Sequence, residues 1–152
     1  AVVRHSLVAA FDELAKEQRD AATSARAQLT KLLAAFVHRV AESPLSGLPK
    51  LVIAEASNFP DVARFYHDEM IRRGREVFTG VLERGIASGE FRAVDVDHAW
   101  RIVIAPLLLS IIWKHSFAAF EAAPLDFERH LDAHLDLLFN GLATDRRKRI
   151  RR

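Results

Sequence analysis

Between Arg101 and Lys114 the chain runs twelve residues without a charge: Ile102, Val103, Ile104, Ala105, Pro106, Leu107, Leu108, Leu109, Ser110, Ile111, Ile112 and Trp113. A helix with no polar side has to be covered all round. The chain has 152 residues, enough for one domain of ordinary size. The other helices of such a domain barely suffice to surround this segment, and a second copy of the chain covers it more economically. The competing arrangement is a monomer with one fully buried central helix. Twelve residues fall short of the roughly 18 a bilayer crossing takes, so no membrane span is expected. Pro106 sits in the middle of the segment and cannot donate to the carbonyl of Ile102, at a cost of about 3 kcal/mol in a regular helix. The bend this implies either shapes one wall of a pocket or follows the curvature of a bundle.

The remaining periodicity is helical as well. Leu29, Leu32, Leu33, Phe36, Val37 and Val40 follow the three-four spacing of a helix packed on a core, with Thr23 or Ser24 as its cap. Val3, Leu7, Ala10, Phe11 and Leu14 form a shorter stripe upstream. Residues 50–57 read as a short helix stopped by Asn58 and Phe59, and Pro60 suits the first turn of the next one. Val62, Phe65, Tyr66, Met70, Val77, Val81 and Leu82 mark the apolar side of that long helix. Gly89 ends it in a left-handed cap, with Phe91 folding back on the last turn. Asp95 caps the apolar helix, and Pro124 with Asp126 opens a last one carrying Phe127, Leu131, Leu135, Leu138 and Leu142. No stretch alternates as a strand would. The fold class is all-α, with about six helices. The last two form a four-helix bundle with those of a second subunit, through Leu109, Ile112, Trp113, Leu131, Leu135, Leu138 and Leu142.

Charge narrows the function. Six of the 22 basic residues lie in the tail 146–152, and without them 16 stand against 20 acidic ones. The domain, residues 1–145, is therefore mildly acidic, which argues against a nucleic-acid surface on its body. The tail is expected to be disordered, with contact to phosphate as a minor alternative. There is no cysteine. No nucleophile elbow and no glycine-rich phosphate loop occur, so no catalytic activity and no cofactor are expected. Glu83 and Glu90 read as surface charge. His130 and His134 share a helix face at metal-binding spacing, but no third ligand is tied to them, and the flank of an interface is the expected role rather than a metal site. A cytoplasmic location is the default, with neither a membrane span nor a signal sequence in view.

Residues 51–66 (LVIAEASNFPDVARFY) and 82–92 (LERGIASGEFR), the latter followed by Val94 and Asp95, resemble the C-terminal domain of TetR-type transcriptional regulators. The resemblance extends over essentially the whole chain. It implies a homodimer that holds a small-molecule effector and controls operator DNA through an N-terminal helix-turn-helix unit. That unit would precede Ala1, so the chain reads as the regulatory fragment of a longer regulator, most simply a repressor. On this reading a cavity lies between three helices. Its expected lining is Leu33, Phe36, Val37 and Val40; Phe65, Tyr66 and Met70; Ile104, Leu108 and Ile111. Such a lining suits an apolar or aromatic effector with Tyr66 as a polar handle. The alternative is a helical dimerisation or interaction module with a filled interior and no small ligand.

Overall fold

The structure, a computed structural model, describes Lys16 and residues 23–142. The stripe expected over residues 3–14 and the basic tail lie outside these residues. Helix α1 spans Ala25–Phe36 and runs on into a wide π-turn, Val37–Ala41. Its start is capped twice. The Ser24 hydroxyl accepts from the Ala27 N–H at 3.1 Å. The Glu90 carboxylate, arriving from far along the chain, accepts from Ala25 at 2.9 Å and Arg26 at 3.2 Å. Glu90 is thus a helix cap rather than free surface charge, a role that only the three-dimensional fold reveals.

Helix α2 spans Leu48–Glu55, with Pro49 in its first turn. Helix α3, Pro60–Tyr66, passes through a second π-turn at His67–Ile71 into α4, Arg72–Ala87. Gly89 follows with φ of 77°, and the Phe91 N–H returns to the Gly85 carbonyl at 2.9 Å, the left-handed cap expected there. Helix α5, Val96–Lys114, starts at an Asp95 carboxylate that accepts from the His98 N–H. It runs unbroken through Pro106. A short 3-10 turn, Ala118–Phe120, precedes α6, Phe127–Leu142. Asp126 caps α6 by accepting from the Arg129 N–H at 3.0 Å. No strand occurs among the described residues.

The core forms where α1 meets α4 and α6, and where α5 lies across α4, α2 and α6. Leu29, Leu33, Val37, Val81, Leu82, Val103, Leu107 and Ile111 are its fully buried side chains. Each contributes roughly 1.5–3 kcal/mol through removal from water. Polar ties fix the ends of the helices. The Arg92 guanidinium and N–H donate to the carbonyls of Gly141 and Leu142, closing the end of α6. Lys114 donates to the Ala41 carbonyl, and His115 Nε2 bonds the Ser46 hydroxyl, joining the end of α5 to the α1–α2 connection.

Helix α5 divides into three faces. Trp100, Val103, Leu107, Ser110 and Ile111 are buried, while Ile102, Leu109 and Trp113 are exposed at 66%, 59% and 44%. By length and composition α5 could cross a membrane, which its twelve-residue charge-free run does not reveal, yet only 28% of its most apolar stretch is buried. Its place is in the bundle, held there by an Asp97–Arg75 ion pair at 2.7 Å and by hydrogen bonds from α6. The interface expectation needs correction on α6. Leu131 and Leu142 are buried in the subunit's own core, and Leu135 and Leu138 pack against it. An amphipathic helix has one such stripe, and the subunit uses it. The outward side of α6 shows Leu137 instead, 74% exposed. Leu109, Trp113 and the half-buried Ile112 remain on the outer side of α5.

Candidate functional site

The end of α1, the whole of α2, the α3–α4 junction and the third face of α5 enclose a cavity of about 430 Å³. Three departures from regular helix border or flank it. The π-turn after α1 places Val40 on its wall, and the π-turn between α3 and α4 places Met70 and Ile71 there. Such turns add a residue to one helical turn and recur at functional sites. Pro106, the third, is not on the lining. Its carbonyl accepts from Ser110, which meets His130 of α6, while its neighbours Ile104, Ala105 and Leu108 stand on the wall.

Of the residues expected on the wall, Phe36, Val40, Tyr66, Met70, Ile104 and Leu108 are on it. Leu33, Val37 and Ile111 are not. They are fully buried in the core behind it. Phe65 is 47% exposed and off the lining. Phe65 and Tyr66 are neighbours on α3, so their side chains point about 100° apart, and the one that faces the cavity is Tyr66. The wall also takes Leu48, Val52 and Ile53 from α2, Phe78 from α4, and Trp100, Arg101 and Ala105 from α5. Leu48, Val52 and Ile53 carry the apolar spacing of a short helix in the sequence, but nothing there tells cavity from core.

Polar groups on this wall are few. Tyr66 is half-buried, its hydroxyl has no hydrogen-bond partner among the described residues, and burial pushes its phenol pKa above the ordinary value. Trp100 is buried, and its Nε1–H lacks a partner among the described residues. A buried donor left unpaired costs about 1–3 kcal/mol. Among the described residues, Arg101 is the single charged side chain on the wall.

The histidines serve elsewhere. His130 Nε2 bonds the Ser110 hydroxyl at 2.8 Å, and Ser110 in turn donates to the Pro106 carbonyl at 2.7 Å. His134 Nε2 donates to the Val103 carbonyl at 2.7 Å. Both therefore tie α6 to the proline-bearing stretch of α5. His38 turns to Glu42 at 2.9 Å and to Glu128 at 3.4 Å. Among the described residues, these three are the one group whose ligand atoms could share a metal ion, lying within 4.8 Å of one another. All three are exposed, and the two carboxylates already serve as partners of the histidine. A second hollow, about 600 Å³, opens beneath the α5–α6 connection and carries Lys114, Glu121, Asp126 and Arg129 among its walls. Charged side chains make up more of its wall than of the first cavity's.

A family model described as "Tetracyclin repressor-like, C-terminal domain" matches residues 19–126. No curated relative and no solved structure matches the chain.

Proposed function

Because the chain belongs to the family of tetracyclin repressor-like C-terminal domains, we propose that it is the ligand-sensing and dimerising half of a TetR-type transcriptional regulator. In the parent protein a helix-turn-helix unit binds operator DNA, and a small, largely apolar effector in the 430 Å³ cavity changes that binding. The single observation that carries this reading is the cavity itself. Its size falls within the range of small-molecule sites, and its walls are apolar with a few polar groups. A close-packed interior would have favoured the alternative of a plain interaction module. The cavity speaks against it.

The coupling has a physical route. Occupying the cavity favours whichever setting of α1, α4 and α5 fits the guest, and only the difference in affinity between settings does work. Helix α1 leads back toward the N-terminal side of the chain, where the DNA-binding unit of the parent would stand. Two such units act on DNA only at a matched separation of about 34 Å, so a small change in α1 is enough to spoil it. The exposed apolar residues of α5 and α6 (Ile102, Leu109, Trp113 and Leu137) support a homodimer as the scaffold that fixes this separation.

The test is a thermal-shift screen of small apolar and aromatic compounds on the wild type and on Ala63→Trp, whose indole would fill the cavity. A ligand of the folded form raises the melting temperature by mass action. Compounds that stabilise the wild type and not Ala63→Trp are the expected outcome. Equal shifts in both proteins would place the binding elsewhere and sink the sensor reading.

A further inference from the structure

We infer that the effector is an organic acid with an apolar body, its carboxylate met by Arg101 at the rim of the cavity. The inference rests on the cavity being the effector site and adds the charge of what enters it.

Among the described residues no aspartate or glutamate lines the cavity, so they offer a cationic guest nothing to replace its hydration. The one charge that the described residues bring to it is positive. Arg101 is exposed, and among the described residues its guanidinium makes a single hydrogen bond, to the Asp97 carbonyl of its own helix at 2.7 Å. The flat of the guanidinium lies 4.8 Å from the centre of the Trp100 ring, another wall residue.

The acid one turn back on the same helix is already engaged: the Asp97 carboxylate pairs with Arg75 on α4. Arg72 and Arg73 on α4 also have carboxylate partners, Glu76 and Glu69. Arg101 has none among the described residues. A guanidinium without a counter-ion, anchored at one nitrogen and laid against an indole, has donors to spare in the planar fork that suits a carboxylate. Because it stands at a rim open to water, the acid group stays partly hydrated there. The apolar remainder of the guest meets Ile104, Leu108, Phe36 and Met70 further in.

Three matched probes test this by calorimetry at neutral pH: decanoate, methyl decanoate and decylammonium, each titrated into the wild type, Arg101→Gln and Arg101→Lys. Decanoate is expected to bind about tenfold tighter than its ester, the scale of a charge-assisted contact at a partly exposed site, with decylammonium weakest. Arg101→Gln should bring decanoate down to the affinity of the ester and leave the ester within about twofold of its wild-type value, which also shows that the variant folds. Arg101→Lys, keeping the charge, should retain part of the preference. An ester that binds as tightly as the acid, an ammonium that matches it, or a preference that survives Arg101→Gln overturns the inference and leaves the cavity reading intact. Failure of acid and ester alike to bind overturns both.

Discussion

At the scale of single residues, two positions hold the frame around the cavity. A Cβ on Gly85 would stand 2.1 Å from the Phe91 ring, and that ring is buried and stacked on Phe139 with centroids 6.3 Å apart. The ring has no free side to move to. Gly85→Ala improves helix propensity by up to about 1 kcal/mol, yet overpacking at a fixed ring costs about 1–3 kcal/mol and wins. The expected result is a lower urea midpoint, and an unchanged or higher one would mean that the α4–α5 turn yields more easily than its packing implies. Glu90 acts through charge. Burial pushes its carboxyl up, but the N–H groups of Ala25 and Arg26 and the Ser88 hydroxyl together outweigh this and hold it below the ordinary value. A carboxyl depressed by folding stabilises above its unfolded pKa and loses that contribution as pH falls through its folded one. Glu90→Ala should therefore cost about 1 kcal/mol at neutral pH, as a lost helix cap does, and progressively less in acid. Denaturation of both proteins across the carboxyl range checks it; a gap that persists in acid would assign the loss to packing.

At the scale of the element, the two long-range histidine contacts bear on α5. Pro106 leaves the Ile102 carbonyl without its helical donor and crowds the turn that contains Val103. His134 donates to the Val103 carbonyl, and His130 reaches the same stretch through Ser110. His134→Ala should lower stability by about 0.5–1.5 kcal/mol, the net worth of one hydrogen bond, since the Val103 carbonyl is also within reach of the Leu107 N–H of its own helix. If the histidine offsets the proline, its removal should cost less in a Pro106→Ala background, with a coupling above about 0.5 kcal/mol in a double-mutant cycle. Additive losses would separate the two features. The same element shows where a sequence can be read. The caps at Ser24, Asp95 and Gly89 were legible because each needs a particular residue at a particular place. The π-turns at Val37–Ala41 and His67–Ile71 were not, since an added residue in a helical turn leaves no mark in composition. Nor does an apolar stripe say which of two neighbours, Phe65 or Tyr66, turns to the cavity; Tyr66 does, and Phe65 is 47% exposed. Arg101 escaped for a different reason: a charge at the edge of an apolar run reads as the end of that run.

At the scale of the molecule, the remaining question is what covers the outer side of α5 and α6. Leu131 and Leu142 read as interface in the sequence because an apolar stripe does not say which partner it faces. The fold assigns that stripe to the subunit and leaves Ile102, Leu109, Trp113 and Leu137 outside, three of them more than half exposed. Solvating four large apolar side chains forgoes roughly 1.5–3 kcal/mol each relative to burial. Large apolar side chains left exposed on two neighbouring helices are the usual mark of an interaction surface. A second copy presents the same patch about a two-fold axis, the usual closure for a dimer. Placing a carboxylate at its centre tests this without touching the core, because a side chain more than half exposed makes few contacts within its own subunit. Leu109→Glu and Leu137→Glu should each shift sedimentation at micromolar concentration from dimer to monomer, since two like charges then meet across the axis and neither can be hydrated. The thermal stability of the separated subunit should fall as well, because the pairing energy no longer adds to that of the fold. A control at Leu51, equally exposed but on α2, should leave the association unchanged. If Leu109→Glu and Leu137→Glu sediment as the wild type does, the pairing surface lies elsewhere, and the apolar side of α5 has to be hidden by another part of the parent protein.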